Sequence, residues 1–179
     1  TFVTSTGEFV SYVESCDFGS KSITVLSEAH GYPVVGIKHD VFKDNQYLEE
    51  VHLPETIRDI GIRAFDNCNN LRIVTIQGTP SVHIRDYAFC RCKSLEKIQA
   101  DDGCRLHLDG FGVFKACKVL QEIPAIYETI PDYSFMECGL KSIRIVGKAT
   151  LKTSSQTGGW NYLAAFLRFK GRVAAVAAK

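Results

Sequence analysis

The stretch Leu48-Glu49-Glu50-Val51-His52-Leu53-Pro54, continued by Ile57-Arg58-Asp59-Ile60-Gly61-Ile62-Arg63-Ala64-Phe65-Asp66-Asn67-Cys68-Asn69-Asn70-Leu71, decides the fold. Its first part alternates apolar and polar residues, which suits a strand with one buried face. Pro54 turns the chain. A second apolar contact follows at Ile57 and Ile60, then a phenylalanine set between a small residue and a cysteine. At Leu71 the same order begins again.

The order recurs along most of the chain. Phe42, Phe65, Phe89, Phe114 and Phe135 are spaced by 23, 24, 25 and 21 residues. A leucine follows each one, at Leu48, Leu71, Leu95, Leu120 and Leu140. After each leucine comes an alternating apolar pair: Val51/Leu53, Val74/Ile76, Ile98/Ala100, Ile123/Ala125 and Ile143/Ile145. Cys68, Cys92, Cys117 and Cys138 stand three residues after four of the phenylalanines, and Asn45 takes that place in the first copy. A single unit of this kind cannot bury its own apolar edge, whereas stacked units bury one continuous column. The pattern therefore predicts coils whose strands pair in parallel, about 4.8 Å apart. It also predicts a spine of phenylalanines on the far side of each coil.

These residues resemble the BspA-type leucine-rich-repeat family, whose pattern reads L-x-x-I-x-L-P-x-x-(L/I)-x-x-I-G-x-x-A-F-x-x-C-x-x-L. The opening stretch Gly31-Tyr32-Pro33-Val34-Val35-Gly36-Ile37 is similar to that family's first repeat, and the likeness covers about residues 20–146. Two copies depart from it. The third carries Tyr87 and Cys90-Arg91-Cys92, and the fourth carries Cys104, Leu106, Leu108 and Phe111 ahead of Phe114. The resemblance implies a non-enzymatic protein-interaction module, often on microbial cell surfaces and sometimes an adhesin. It implies no catalytic residues.

The expected architecture is an α/β-type leucine-rich solenoid of about six coils, mainly parallel strand with an irregular convex side. Residues 1–21 read as an N-terminal hairpin or cap, 22–146 as the solenoid, and 147–179 as a linker and tail. Such a cap keeps an open strand edge from pairing with other chains.

Composition narrows the function. The chain has 179 residues, 45% apolar and 23% charged, with 21 Lys plus Arg against 20 Asp plus Glu. That balance offers no basic surplus for a nucleic acid. No apolar run reaches the roughly 18 residues needed to span a bilayer. The first residues, Thr1-Phe2-Val3-Thr4, lack the basic and apolar regions of a signal peptide. P-loop, G-x-S-x-G and H-E-x-x-H motifs are absent, and the histidines fall one per coil or fewer.

The cysteines number seven. Equivalent cysteines in stacked coils would have Cβ atoms about 4.8 Å apart, beyond the ~3.5–4.5 Å of a disulfide. A buried column of free thiols is expected, with Cys16, Cys90 and Cys104 outside it. Cys90, Cys92, Cys104 and His107 could be read as zinc ligands. Against this, Cys92 belongs to the inward column, and the spacing is C-x-C rather than C-x-x-C. No metal and no cofactor are expected.

Outward positions of the coil strands form two columns: Glu50, Ile73, Lys97, Glu122 and Ser142, and beside them His52, Thr75, Gln99, Pro124 and Arg144. Solenoids use such a face for partners. A protein partner is expected there, with Glu50, His52, Ile73, Thr75, Lys97, Gln99, Glu122 and Arg144 as contact residues. The face lacks the aromatic platform of single-strand nucleic-acid binding. The location expected from the resemblance is the cell surface or outside it, while the thiols are compatible with a reducing interior.

Lys148 to Gly159 is polar and rich in Thr, Ser and Gly, which reads as a linker. In Trp160 to Lys179, Tyr162, Phe166, Phe169, Val173 and Val176 fall on one helical face, with Arg168 and Arg172 on its flank. The tail fits a cap over the last coil. Second to that, it fits a basic amphipathic helix that meets a partner or an anionic membrane surface, and last a boundary remnant. An accessory subunit anchored in a larger assembly by this tail is the alternative function. Deleting residues 157–179 separates the readings. A product that unfolds or aggregates on size exclusion assigns a cap, and a stable monomer that loses a partner assigns an anchor.

Overall fold

The structure is a computed structural model. It describes the backbone of residues 2–3, 7–78 and 80–151 and the side chains of residues 7–78 and 80–146. The strands are β1 (Phe2–Val3), β2 (Phe9–Val13), β3 (Ser22–Thr24), β4 (Glu28–Ala29), β5 (Tyr32–Ile37), β6 (Glu50–Leu53), β7 (Asp59–Ile60), β8 (Ile73–Ile76), β9 (Ser81–Ile84), β10 (Lys97–Ala100), β11 (Arg105–Leu108), β12 (Ile126–Ile130) and β13 (Ile145–Leu151). They wind into a parallel solenoid of about five turns, with no helix among the described residues.

Two sheets run along the solenoid. The first has the order β10-β8-β6-β3, all parallel. The second has the order β1-β2-β5-β7-β9-β11-β12-β13, with β4 added on β5. The side read from sequence as irregular therefore carries the longer sheet. The reason is visible in the residues: Ser81-Val82-His83-Ile84 and Arg105-Leu106-His107-Leu108 alternate with a period of two, burying Val82, Ile84, Leu106 and Leu108.

At the N-terminal end, β1 pairs antiparallel with β2, and β2 joins the second sheet through β5. β4 and β5 form a hairpin turned at His30 and Gly31, both with positive φ (56° and 79°). Two left-handed residues in a row match the twist of paired strands. At the other end, β13 continues past Val146 to Leu151 and pairs with β12.

The first sheet is shorter than the sequence pairs suggest. Beyond β10 the fourth coil contributes one bridge, Lys97 to Glu122, and no strand. Pro124 stands where the next ladder bond belongs and has no N–H to give.

A third hydrogen-bonded run passes through the phenylalanine turns. The N–H of each of the first four spine phenylalanines donates to a carbonyl of the next coil: Phe42 to Ala64 (2.8 Å), Phe65 to Ala88 (2.8 Å), Phe89 to Val113 (3.0 Å) and Phe114 to Ser134 (2.9 Å). Residues two before and two after each phenylalanine are left-handed. In the third coil these are Tyr87 (φ 56°) and Arg91 (φ 61°), and in the second Arg63 (φ 53°) and Asn67 (φ 62°). Such conformations are unfavourable for residues with a Cβ. Here the ladder they permit repeats in every coil.

The core follows from these three runs. Phe42, Phe65, Phe89 and Phe114 are fully buried and Phe135 nearly so. Their rings stack in sequence, with centroids 4.8, 5.0, 5.6 and 5.7 Å apart and planes within 3–15° of parallel. The described cysteines are all free. Cys68, Cys92 and Cys117 each donate a thiol hydrogen to the carbonyl of the preceding coil's phenylalanine, at 2.9, 3.1 and 3.0 Å. Asn45, in the same place of the first coil, instead accepts the N–H groups of Tyr47 and Leu48.

Phe89→Ala opens a gap between two stacked rings and is expected to cost about 3–5 kcal/mol in chemical denaturation. Phe89→Leu, which keeps most of the volume, should cost clearly less. A loss under about 1 kcal/mol for the alanine variant would show that the stack does not hold the coils together.

Candidate functional site

Each sheet presents its outward side chains in columns set by the register. On the first sheet, Glu50, Ile73 and Lys97 stand in line, as do His52, Thr75 and Gln99. These six lie on β6, β8 and β10, as the sequence columns place them. Glu122 is exposed and reaches the column through its bridge to Lys97. Arg144 is exposed and belongs to no strand of that sheet. Ion pairs flank the face, Lys21 with Glu49 at 2.7 Å and Arg72 with Glu96 at 3.0 Å. Exposed pairs of this kind add little stability, so they set the charge pattern rather than the fold.

Where the first sheet stops, a cleft of about 370 Å³ opens between the third and fourth coils, lined among others by Gln99, Asp101, Glu122, Pro124 and Arg144. The missing proline N–H accounts for it. Glu122 and Arg144 thus share the edge of a cleft rather than a flat sheet.

The second sheet carries a group that the sequence columns left out. Tyr12, Gly36, Asp59 and His83 are register partners in turn, and His83 pairs with His107. The imidazoles of His83 and His107 stack at 4.7 Å, and the Tyr127 ring lies 5.4 Å beyond His107. Arg105 lies over Tyr127, 4.9 Å from the ring centroid. His83 Nδ1 is 2.6 Å from Asp109 Oδ2. Arg85 Nε donates to Asp59 at 2.6 Å, and its terminal nitrogen donates to Asp109 at 3.2 Å. The signal was in the numbering: Asp59, His83 and His107 are 24 residues apart, which is the repeat length itself.

Burial, then the adjoining His83, pushes the pKa of His107 below the ordinary imidazole value. Asp109 and Glu128 oppose that shift. At the N-terminal end of the same face lies a hollow of about 450 Å³ formed by Tyr12, Lys38, His39, Asp59 and Gly61 above Ile37. Gly61 is needed there because a Cβ would stand 2.7 Å from the Ile37 carbonyl oxygen.

The thiols are poorly suited to nucleophilic chemistry. Burial raises Cys68 to about 12 and Cys104 to about 11, and holds Cys92 and Cys117 well above the thiol range. A nucleophilic cysteine needs the opposite shift. Among the described residues no cluster of three or more His, Cys, Asp or Glu could hold a metal ion. Cys92 points inward, its thiol on the Phe65 carbonyl, away from any shared site with His107. Tyr162, Phe166, Arg168, Phe169 and Arg172 lie outside the described residues.

The description of the BspA type leucine rich repeat region fits residues 35–156, in six copies. The T. pallidum leucine rich repeat protein TpLRR has a similar structure, with a TM-score of 0.60 at 21% identity over 99% of this chain and 95% of that one. A leucine rich cell surface protein from Faecalibacterium prausnitzii gives 0.57 at 24% identity, over 84% of this chain and 47% of that one. A leucine-rich repeat protein from Bacteroides capillosus gives 0.54 at 21% identity, over 69% and 90%. At these identities the likeness is one of fold. No curated protein matches the chain.

Because the fold lowers the His107 pKa, His107 contributes stability that is whole above the unfolded imidazole value, near pH 6.5, and is lost as pH falls through the folded value. Between about pH 7.5 and 5, wild-type Tm should fall more than that of His107→Phe, which keeps a flat ring in the stack. Equal falls in thermal melts would show that His107 protonates without cost to the fold.

Proposed function

The chain belongs to the BspA-type leucine-rich-repeat family, and from that premise we propose that it is a non-enzymatic protein-binding module whose first-sheet face meets the partner. The observation that carries this reading is the unbroken register of β6, β8 and β10. It sets Glu50, Ile73 and Lys97 beside His52, Thr75 and Gln99 on a rigid surface. Such a face is organised before binding, which lowers the cost of association. Its mixture of charge, amide, hydroxyl and one aliphatic side chain fits another protein's surface better than a polyanion. Glu122 and Arg144, at the edge of the neighbouring cleft, extend the surface and give it relief.

A setting at or outside a cell surface is part of the same proposal. It is supported by the family and by the description of the Faecalibacterium relative as a cell surface protein. Buried thiols with raised pKa values are protected from oxidation there, so the cysteine content does not oppose it.

The test is a charge swap. K97E combined with E122K keeps an opposite pair at the bridge while inverting the pattern that a partner reads. Capture of a partner from native extract, quantified by mass spectrometry, should fall by about tenfold relative to wild type. Undiminished capture by the swapped, folded protein would remove this face from the function.

A further inference from the structure

The first sheet ends as a fork. In a parallel ladder, alternate residues of a strand bond to opposite neighbours. On β10 the Lys97 N–H turns back to the Arg72 carbonyl, and the Ile98 N–H turns forward to the Glu122 carbonyl at 3.0 Å. The Ile98 carbonyl and the Ala100 N–H face the same forward side. Pro124 is the residue that would meet both, and it has no N–H to give the Ile98 carbonyl. No backbone hydrogen bond joins Ile98 or Ala100 to residues 123–125. Ala125 gives its carbonyl to the Leu106 N–H instead. Ile98 and Ala100 thus line the cleft of about 370 Å³ with a main-chain acceptor and a main-chain donor that sheet pairing leaves unused.

The charge of the cleft is one-sided. Asp101, Asp102 and Glu122 line it together with Arg144, and all four are exposed. None of them stands in an ion pair among the described residues. Asp101 is held in place by the Gly78 N–H, which donates to it at 2.8 Å. Three carboxylates against one guanidinium leave the lining a negative surplus. Lys97, bridged to Glu122 through the backbone, reduces that surplus without removing it. An open main-chain donor and acceptor receive an extended chain, as a sheet edge receives an added strand. The carboxylates select a basic one.

We propose that the protein partner of the first-sheet face inserts an extended basic segment into this cleft; the inference rests on the protein-binding reading above and names the chemistry of the partner. The segment runs parallel to β10, and one of its residues takes the place that Pro124 leaves open. The N–H of that residue donates to the Ile98 carbonyl, and its carbonyl accepts the Ala100 N–H. Lysine or arginine side chains beside it meet Asp101, Asp102 and Glu122. Cleft and face are continuous, because Gln99 belongs to the outward column of β10 and also lines the cleft.

The experiment uses the whole chain and a fluorescein-labelled hexapeptide of alternating threonine and lysine, read by fluorescence anisotropy. This peptide should bind about tenfold more tightly than one with glutamate in place of lysine. It should also bind about tenfold more tightly than its form methylated on every backbone nitrogen, which can give no N–H. D101N/D102N should weaken binding about tenfold. P124T keeps every charge but offers the Ile98 carbonyl an N–H from its own chain, and it should weaken binding by about as much. E50Q/H52Q, on the face at a distance from the cleft, should bind the peptide as wild type. Wild-type affinity in P124T or in D101N/D102N would overturn the proposal, as would loss in E50Q/H52Q. D101N/D102N changes only exposed side chains, so it keeps the test open if P124T does not fold. Equal binding of the methylated peptide, or its parent's displacement by equimolar spermine, would assign the cleft to cations at large and discard the inserted strand. Native capture that K97E/E122K abolishes, with peptide binding indifferent to P124T, would leave the face and discard the cleft. Capture that K97E/E122K leaves intact, with peptide binding that responds to P124T, would discard the face and leave the cleft.

Discussion

Each coil buries one phenylalanine ring against the rings of its neighbours, and the rest of the molecule conforms to that contact. Ring stacking at 4.8–5.7 Å fixes the rise from coil to coil. Parallel strands need about the same rise, so both sheets form without strain between them. The thiol-to-carbonyl bonds and the turn ladder repeat at the same interval. No single coil could make these bonds alone, which places the stability in the interfaces between coils.

That division separates structure from recognition. Inward residues such as Val51, Val74, Val82 and Leu106 are fully buried and leave little freedom. Their outward neighbours have no packing duty and can vary to suit a partner. Each sheet therefore works as a set of columns whose spacing is constant and whose chemistry is open. The first-sheet columns are mixed and polar, while the second carries rings and paired charges. The two faces present different chemistry to whatever they meet.

Much of this was legible in the residues. The period-two alternation of Glu50-Val51-His52-Leu53 and its copies located the first sheet, and the phenylalanine spacing located the spine. The second sheet was equally available in Ser81-Val82-His83-Ile84, but its strands are short and lie between turns, so they read as isolated apolar contacts. His83 and His107 are far apart along the chain, and only the 24-residue repeat interval sets them side by side. Two features had weaker signals. Pro124 occupies an outward position, and its effect lies in a missing N–H rather than in its side chain. The left-handed residues of the turns include Arg63, Tyr87 and Glu137, which by type favour no such conformation. Neighbouring coils impose it through the hydrogen bonds they supply.

The turn ladder has a direction. From Asp40 to Ala116 its N–H groups point toward the coil that follows, and the accepting carbonyls point back. The upper and lower surfaces of a coil are therefore unlike but complementary, as in a stud and its socket. A duplicated coil inserted between the second and the third would find a matching turn ladder on both sides. Lengthening such a chain by gene duplication needs no redesign of the junction, whereas two copies meeting socket to socket would leave their polar groups unanswered.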